Sequence, residues 1–121
     1  MKIKHFALVG EHYGELRDFY NNLLDLNLDF DDKENEYCQF SLNKDIKIDF
    51  ESNDAVKKEL PSLKEKINLL VRIEVDDVDK VYEKTKERHS LLSRPTNRKW
   101  GTRNFYFLDP ANNLIEIYQN I

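Results

Sequence analysis

The chain has 121 residues, of which 35% are charged and 40% hydrophobic, and its formal net charge is −4 at pH 7. This length allows one domain with one hydrophobic core. The acidic balance and the absence of a basic stripe argue against a nucleic-acid partner. The single cysteine excludes an intrachain disulfide framework and a cysteine-cluster zinc site.

No apolar run in the sequence approaches the roughly 20 residues that a membrane-spanning helix needs. The first residues alternate like a strand and do not have the composition of a signal peptide. We therefore predict a cytoplasmic protein with no membrane partner.

The first part of the chain predicts a strand, a helix and three further strands. Residues 3–9 alternate as a strand, with His5 and Phe6 on opposite faces. A helix is predicted over 14–24, and its apolar face is formed by Leu16, Phe19, Tyr20 and Leu23. Polar turns separate three short strand candidates, at 27–30, 36–42 and 46–50.

A charged, helix-prone segment over 52–66 follows. Its apolar contacts are expected from Val56, Leu60 and Leu63. Because Pro61 interrupts it, the segment predicts one or two short helical turns and not one long helix.

The order of elements then repeats. Residues 68–75 alternate as a strand, with Leu70 and Arg72 on the same face. Asp76 or Asp77 can cap the next helix, which has the apolar spacing of the first one. Internal duplication is the strongest organisational signal in the sequence.

The closing part of the chain predicts a hairpin. Two runs rich in aromatic and β-branched residues, 103–108 and 114–119, flank a polar turn. Asp109 and Pro110 open that turn, and Asn112 is suited to a positive φ angle within it.

These elements predict an α+β fold of two βαβββ modules in a single domain over 1–121. The first module covers about 1–51, the linker about 52–66 and the second module about 67–121. The modules would form a curved mixed sheet around a cavity, with the helices on the convex face.

Glu116 is a carboxylate in the middle of the apolar last strand. It must face opposite to Ile115 and Ile117, because side chains alternate along a strand. If those two pack against the helices, Glu116 shares the open face of the sheet with His5 and Arg72. Arg72 then has two alternatives, an ion pair with Glu116 or a forked contact to an anionic ligand.

Three stretches resemble the vicinal oxygen chelate superfamily, which holds glyoxalases, bleomycin resistance proteins, extradiol dioxygenases and fosfomycin resistance enzymes. They are the first strand and helix (3–9 and 19–24), the start of the second repeat (73–78), and the closing hairpin (100–103, Phe105, Asp109, Pro110, Asn113, Ile115 and Glu116). Together they span nearly the whole chain, and the hairpin is the most specific. The family usually has glycine where this chain has Asn112.

The resemblance implies paired modules around a ligand cavity, commonly in a homodimer. Enzymes of the family hold a divalent metal with side chains from the first and last strands of the modules. His5 matches the first-strand ligand, and Glu116 matches the last-strand carboxylate, which in a metal enzyme would also be the catalytic proton shuttle. The position that usually carries a second histidine is Leu70. The last strand of the first module offers Lys47 or Asp49, depending on register.

Leu70 cannot bind a cation, and Arg72 would repel one. We therefore predict a metal-independent protein without a cofactor, similar to the bleomycin resistance branch, that binds a small organic molecule in the sheet cavity. The acidic chain suits a cationic guest. The candidate ligand-binding residues are His5, Arg72, Trp100 (at the cavity rim), Tyr106, Glu116 and Tyr118.

Two alternatives remain open at this point. The first is a metal-dependent lyase, isomerase or dioxygenase, in which His5 and Glu116 hold a metal that acts as a Lewis acid on vicinal oxygens. The second is a dimeric ligand sensor or accessory domain.

Overall fold

One mixed β-sheet, with nine strands in the part of the chain that the structure describes, organises the molecule. The computed structural model describes residues 1–41, 43–87, 90–108 and 113–121, so the predicted turn with Asp109, Pro110 and Asn112 lies outside the described residues. The strands are β1 (Lys2–Gly10), β2 (Asn27–Asp32), β3 (Tyr37–Ser41), β4 (Lys47–Ser52), β5 (Leu69–Glu74), β6 (Ser90–Leu91), β7 (Thr96–Asn97), β8 (Thr102–Leu108) and β9 (Leu114–Asn120). The helices are α1 (Tyr13–Asp18), continued by a π-helical turn (Phe19–Leu23), α2 (Asn53–Glu59) and α3 (Val78–Thr85). No helix among the described residues is long and apolar enough to cross a membrane.

The sheet is built from two similar halves, as the repeated sequence pattern predicts. Its strand order is β2-β3-β4-β1-β5-β9-β8-β6, and β7 pairs with β8. In each half the first strand runs parallel to the last one, β1 with β4 and β5 with β9. The halves meet where β1 and β5 pair antiparallel. The sheet is curved and unclosed. Together with the helices, it confirms the predicted α+β class. The two-residue strand β7 was not predicted, because it is too short to show an alternating pattern.

The convex face of the sheet is covered by α1 and α3, and the burial of apolar surface holds both helices in place. The cluster under α1 contains Tyr13, Leu16, Tyr20, Cys38, Phe40 and Phe50. The cluster under α3 contains Val78, Val81, Tyr82, Phe105 and Ile117. Since side chains alternate along each strand, His5, Arg72 and Glu116 lie on the opposite, concave face.

The linker helix, for which the sequence predicts no face, packs on the side of the sheet opposite to α1 and α3. α2 and the residues after it cover one end of the concave face, where Val56, Leu60 and Leu63 pack with Leu70 and Tyr106. The helix is short, as the interrupting proline predicts. Strand alternation shows where a strand's side chains point, but it carries no information about where a linker helix packs.

The first helix differs from the prediction in its second half. Leu16 and Tyr20 pack against the core, whereas Phe19 and Leu23 are 45% and 70% exposed. From Phe19 onward the backbone is π-helical, and the N–H of Leu24 donates to the carbonyl of Phe19 at 3.1 Å. The wider turn moves the following side chains off the 3.6-residue spacing on which the prediction depended.

Candidate functional site

The concave face bounds a cavity of about 780 Å³. The residues that the sequence predicts as ligand-binding candidates all line it: His5, Arg72, Trp100, Tyr106, Glu116 and Tyr118. The structure adds four carboxylates to Glu116 in the lining: Asp32, Asp49, Glu51 and Glu59. The binding roles of these residues remain predictions, but their convergence on one cavity defines the candidate site.

Arg72 lies at the floor of the cavity and contacts three carboxylates. Its Nε donates to Glu116 Oε1 and its Nη1 to Asp49 Oδ2, both at 2.8 Å, and its Nη2 donates to Glu51 Oε1. The sheet register explains the convergence, because Arg72 is paired with Glu116 on β9 and with His5 on β1. Of the two alternatives for Arg72, the structure contains the ion pair with Glu116.

The carboxylates of this cluster depend on the guanidinium for charge compensation, because most of the cluster is shielded from water. The side chain of Arg72 is 15% exposed, and those of Asp49 and Glu116 are 1% and 5% exposed. Burial alone would lower the pKa of Arg72, but the charges of Glu51, Glu116 and Asp49 outweigh it and raise that pKa well above its ordinary value. Three carboxylates facing one permanently charged guanidinium leave the cluster anionic.

His5 is bound to the same cluster through Asp49. Its Nδ1 lies 3.2 Å from Asp49 Oδ1, which also accepts a hydrogen bond from Gln39 Nε2 at 3.2 Å. Of the two register-dependent candidates on β4, Asp49 is therefore the one beside His5. Lys47 Nζ instead lies 2.7 Å from Asp29 Oδ2.

With the guanidinium of Arg72 in place, the residues at this site do not fit a divalent metal. Glu116, the last-strand candidate, accepts from Arg72 through Oε1 and from Asn104 Nδ2 through Oε2 at 2.7 Å. Leu70, where the resemblance expects a second histidine, is 1% exposed and packs in the apolar cluster beside α2. Within the described ranges, no group of three or more His, Cys, Asp or Glu side chains is placed to hold a metal ion. The guanidinium of Arg72 lies between the carboxylates that such an ion would use.

Aromatic rings form much of the cavity wall. Tyr106 and Tyr118 are 2% and 8% exposed, whereas Trp100 is 57% exposed and lies at the rim. Burial, followed by the charge of Glu74, raises the pKa of Tyr118 to about 12. Burial, followed by the charge of Glu116, raises the pKa of Tyr106 well above its ordinary value. Both phenols are therefore neutral at physiological pH.

Glu59, the last residue of α2, is a cavity carboxylate that sequence reasoning missed. Its Oε1 is buried and lies 3.6 Å from Arg98 Nε, and no described residue forms a hydrogen bond with this oxygen. Burial is the main reason that the pKa of Glu59 is raised above 4.5; a hydrogen bond with Tyr106 opposes this rise, and the charge of Glu116 adds to it. The Lys/Glu pattern around Glu59 predicts a solvated helix face. The one sequence signal that this end of the helix is buried is the adjacent Leu60, which was predicted as an apolar contact of the linker.

We expect Glu59→Gln to change the pH dependence of stability. A carboxyl whose pKa is higher in the folded protein destabilises the folded state as pH rises from the unfolded value of 4.5 through the folded value. The variant should therefore gain stability relative to wild type between about pH 4 and about pH 7.5, as measured by urea unfolding. Glu65→Gln, at an exposed carboxyl, is the control and should show no such change. A Glu59→Gln difference that is the same at both pH values would contradict the assignment.

Comparison with known sequences points to one family. A sequence profile of the Glyoxalase/Bleomycin resistance protein/Dioxygenase superfamily matches residues 2–117. The uncharacterized protein YraH of Bacillus subtilis (strain 168) is 30% identical over 127 aligned positions, which cover 98% of this chain and 98% of that protein.

Solved structures share the fold over nearly the full length of the chain. A superfamily member from Vibrio splendidus 12B01 superimposes with a TM-score of 0.77 at 14% identity, covering 98% of both chains. A variant methylmalonyl-CoA epimerase from Streptomyces coelicolor, in complex with 2-nitronate-propionyl-CoA, gives a TM-score of 0.68 at 16% identity, covering 99% of this chain and 94% of the other. These identities show the fold alone. The profile match over residues 2–117 and the duplicated modules agree, and the chain belongs to the glyoxalase/bleomycin resistance protein/dioxygenase superfamily.

Proposed function

We propose that the protein binds a small organic molecule in the sheet cavity and does so without a metal ion. The observation that carries the proposal is a cavity of about 780 Å³ whose floor charges are paired with one another through Arg72. Small-molecule sites typically enclose about 300–1,000 Å³, with aromatic and apolar walls and a few placed polar groups. Tyrosine and tryptophan rings around a fixed polar floor match that description.

The donor atoms of the floor support the metal-independent form of this proposal. His5 Nδ1 is engaged by Asp49, and both carboxylate oxygens of Glu116 have hydrogen-bond partners. A metal ion would have to displace Arg72 from these groups, and it would gain no histidine at Leu70. The polar floor therefore serves as a rigid base for the cavity.

The charges of the lining favour a cationic guest. Among the described lining residues, five carboxylates (Asp32, Asp49, Glu51, Glu59 and Glu116) face one guanidinium, that of Arg72. A cleft with this imbalance attracts cations and repels anions. The rings of Trp100 and Tyr118 add faces on which an ammonium or guanidinium group can be stabilised. The proposed guest is an organic cation with an apolar body.

Matched probes of different charge test the proposal. Benzyltrimethylammonium, benzylguanidine, benzyl alcohol and phenylacetate would be titrated into EDTA-treated protein by calorimetry, after a thermal-shift screen of a wider amine library. We expect binding by the two cations, weakening as salt is added, and no binding by phenylacetate. Preference for the anion or the alcohol would contradict the cationic guest, and the absence of binding in every class, library included, would contradict the binding function.

The homodimer and the cytoplasmic location that the sequence predicts stay predictions. Sedimentation velocity of the purified protein across a concentration series measures the first directly.

A further inference from the structure

The side chains around Arg72 bind a cation, and that cation is the guanidinium of Arg72 itself. Asp49 and Glu51 on β4 and Glu116 on β9 direct carboxylate oxygens at one guanidinium, and His5 on β1 binds Asp49. We propose that the guanidinium of Arg72 excludes divalent metal ions from a site that these four residues otherwise form. This inference depends on the Arg72 cluster alone and not on the proposed guest.

The donor set is that of a divalent-cation site. Three carboxylates and one imidazole suit Mn²⁺ or Zn²⁺. The oxygens are now spread around the planar guanidinium, each bonded to a different nitrogen, and a metal ion would need them drawn in to about 2.0–2.2 Å. Asp49 is held by its contacts with His5 and Gln39, and Glu116 Oε2 is held by Asn104, whereas Glu116 Oε1 and Glu51 Oε1 would lose their partner in a variant without the guanidinium.

Arg72 is also the cation on which these carboxylates depend. Among the described residues, no Lys or other Arg side chain forms an ion pair with Asp49, Glu51 or Glu116. The nearby Arg98 is directed elsewhere, with its Nε donating to Asn104 Oδ1 at 2.8 Å. Removing the guanidinium would leave three carboxylates without a counterion, and two of them, Asp49 and Glu116, are buried. Uncompensated buried charges favour the uptake of another cation.

Two substitutions that both remove the charge test the inference. Arg72→Ala leaves the space of the guanidinium open, whereas Arg72→Met fills much of it with an apolar chain. After EDTA treatment, calorimetry with Mn²⁺ and Zn²⁺ should show about one bound ion per chain for Arg72→Ala, with no stoichiometric binding by Arg72→Met or wild type. Adding His5→Ala to Arg72→Ala should weaken the affinity for the ion by about tenfold or more.

A second variant covers the case in which Arg72→Ala folds poorly. Arg72→Ala with Glu51→Gln keeps His5, Asp49 and Glu116 as donors. It leaves two carboxylates without a counterion, whereas Arg72→Ala alone leaves three. Its melting temperature should rise when Mn²⁺ or Zn²⁺ is added, because an ion that binds only the folded state stabilises it. The inference is overturned if the folded variants take up no ion, if wild type binds as well as they do, or if neither variant folds even with the ions present.

Discussion

Arg72→Met should lower the free energy of unfolding by about 3–5 kcal/mol, the range found when one partner of a buried ion pair is removed. The variant leaves Asp49, Glu51 and Glu116 facing one another without the guanidinium that now contacts all three. Urea unfolding of wild type and variant at neutral pH measures the difference.

Two further substitutions separate this effect from the general cost of losing an ion pair. Arg103 contacts Asp79 through two nitrogens at 3.0 and 2.9 Å, but the two side chains are 31% and 56% exposed, so Arg103→Met should lower the free energy of unfolding far less than Arg72→Met does. Asp49→Asn should cost less than Arg72→Met, because Arg72 keeps two carboxylates. An Arg72→Met variant as stable as wild type would contradict the role assigned to the guanidinium.

Trp100→Ala should weaken the binding of benzyltrimethylammonium by about tenfold, which corresponds to the loss of one favourable cation–aromatic contact. The ring lies at the cavity rim, is 57% exposed and has the Arg98 guanidinium 6.0 Å from its centroid. Because so much of the ring is exposed, the free energy of unfolding should change little. Calorimetry and urea unfolding of the same preparation report the two quantities.

Phe19→Ala is the matched control for that prediction. Phe19 is 45% exposed, belongs to the π-helical turn and does not line the cavity. Its removal should leave probe affinity unchanged. Equal losses of affinity in the two variants would place the probe elsewhere than at the rim beside Trp100.

The fold was largely predictable because its long strands carry clear periodic signals. Alternation over residues 3–9, 68–75, 103–108 and 114–119 was enough to identify the duplicated modules and the two strands of the closing hairpin. The errors occur where local pattern does not determine structure. The π-helical turn rotated Leu23 out of the predicted apolar face. The sequence made no prediction of the face on which the linker helix packs, because tertiary contacts decide its position.

The positions of the candidate-site residues were also predictable in part, and their binding roles stay predictions. Alternation alone placed His5, Arg72 and Glu116 on one face, and the pairing of Arg72 with Glu116 followed as one of two alternatives. The contribution of Asp49 required the register of β4 against β1, and a slip of one residue would have turned its side chain to the other face. Glu59 entered the site only through the docking of α2, which no strand pattern encodes.

The measurement that tests the central claim most directly is a calorimetric titration of Zn²⁺, Ni²⁺, Mn²⁺ and Fe²⁺ into EDTA-treated wild type and His5→Ala. If the guanidinium of Arg72 supplies the positive charge at the cavity floor, neither protein should bind any of these ions stoichiometrically. Stoichiometric binding by wild type that disappears in His5→Ala would contradict the account, because it would make His5 a metal ligand in the presence of Arg72.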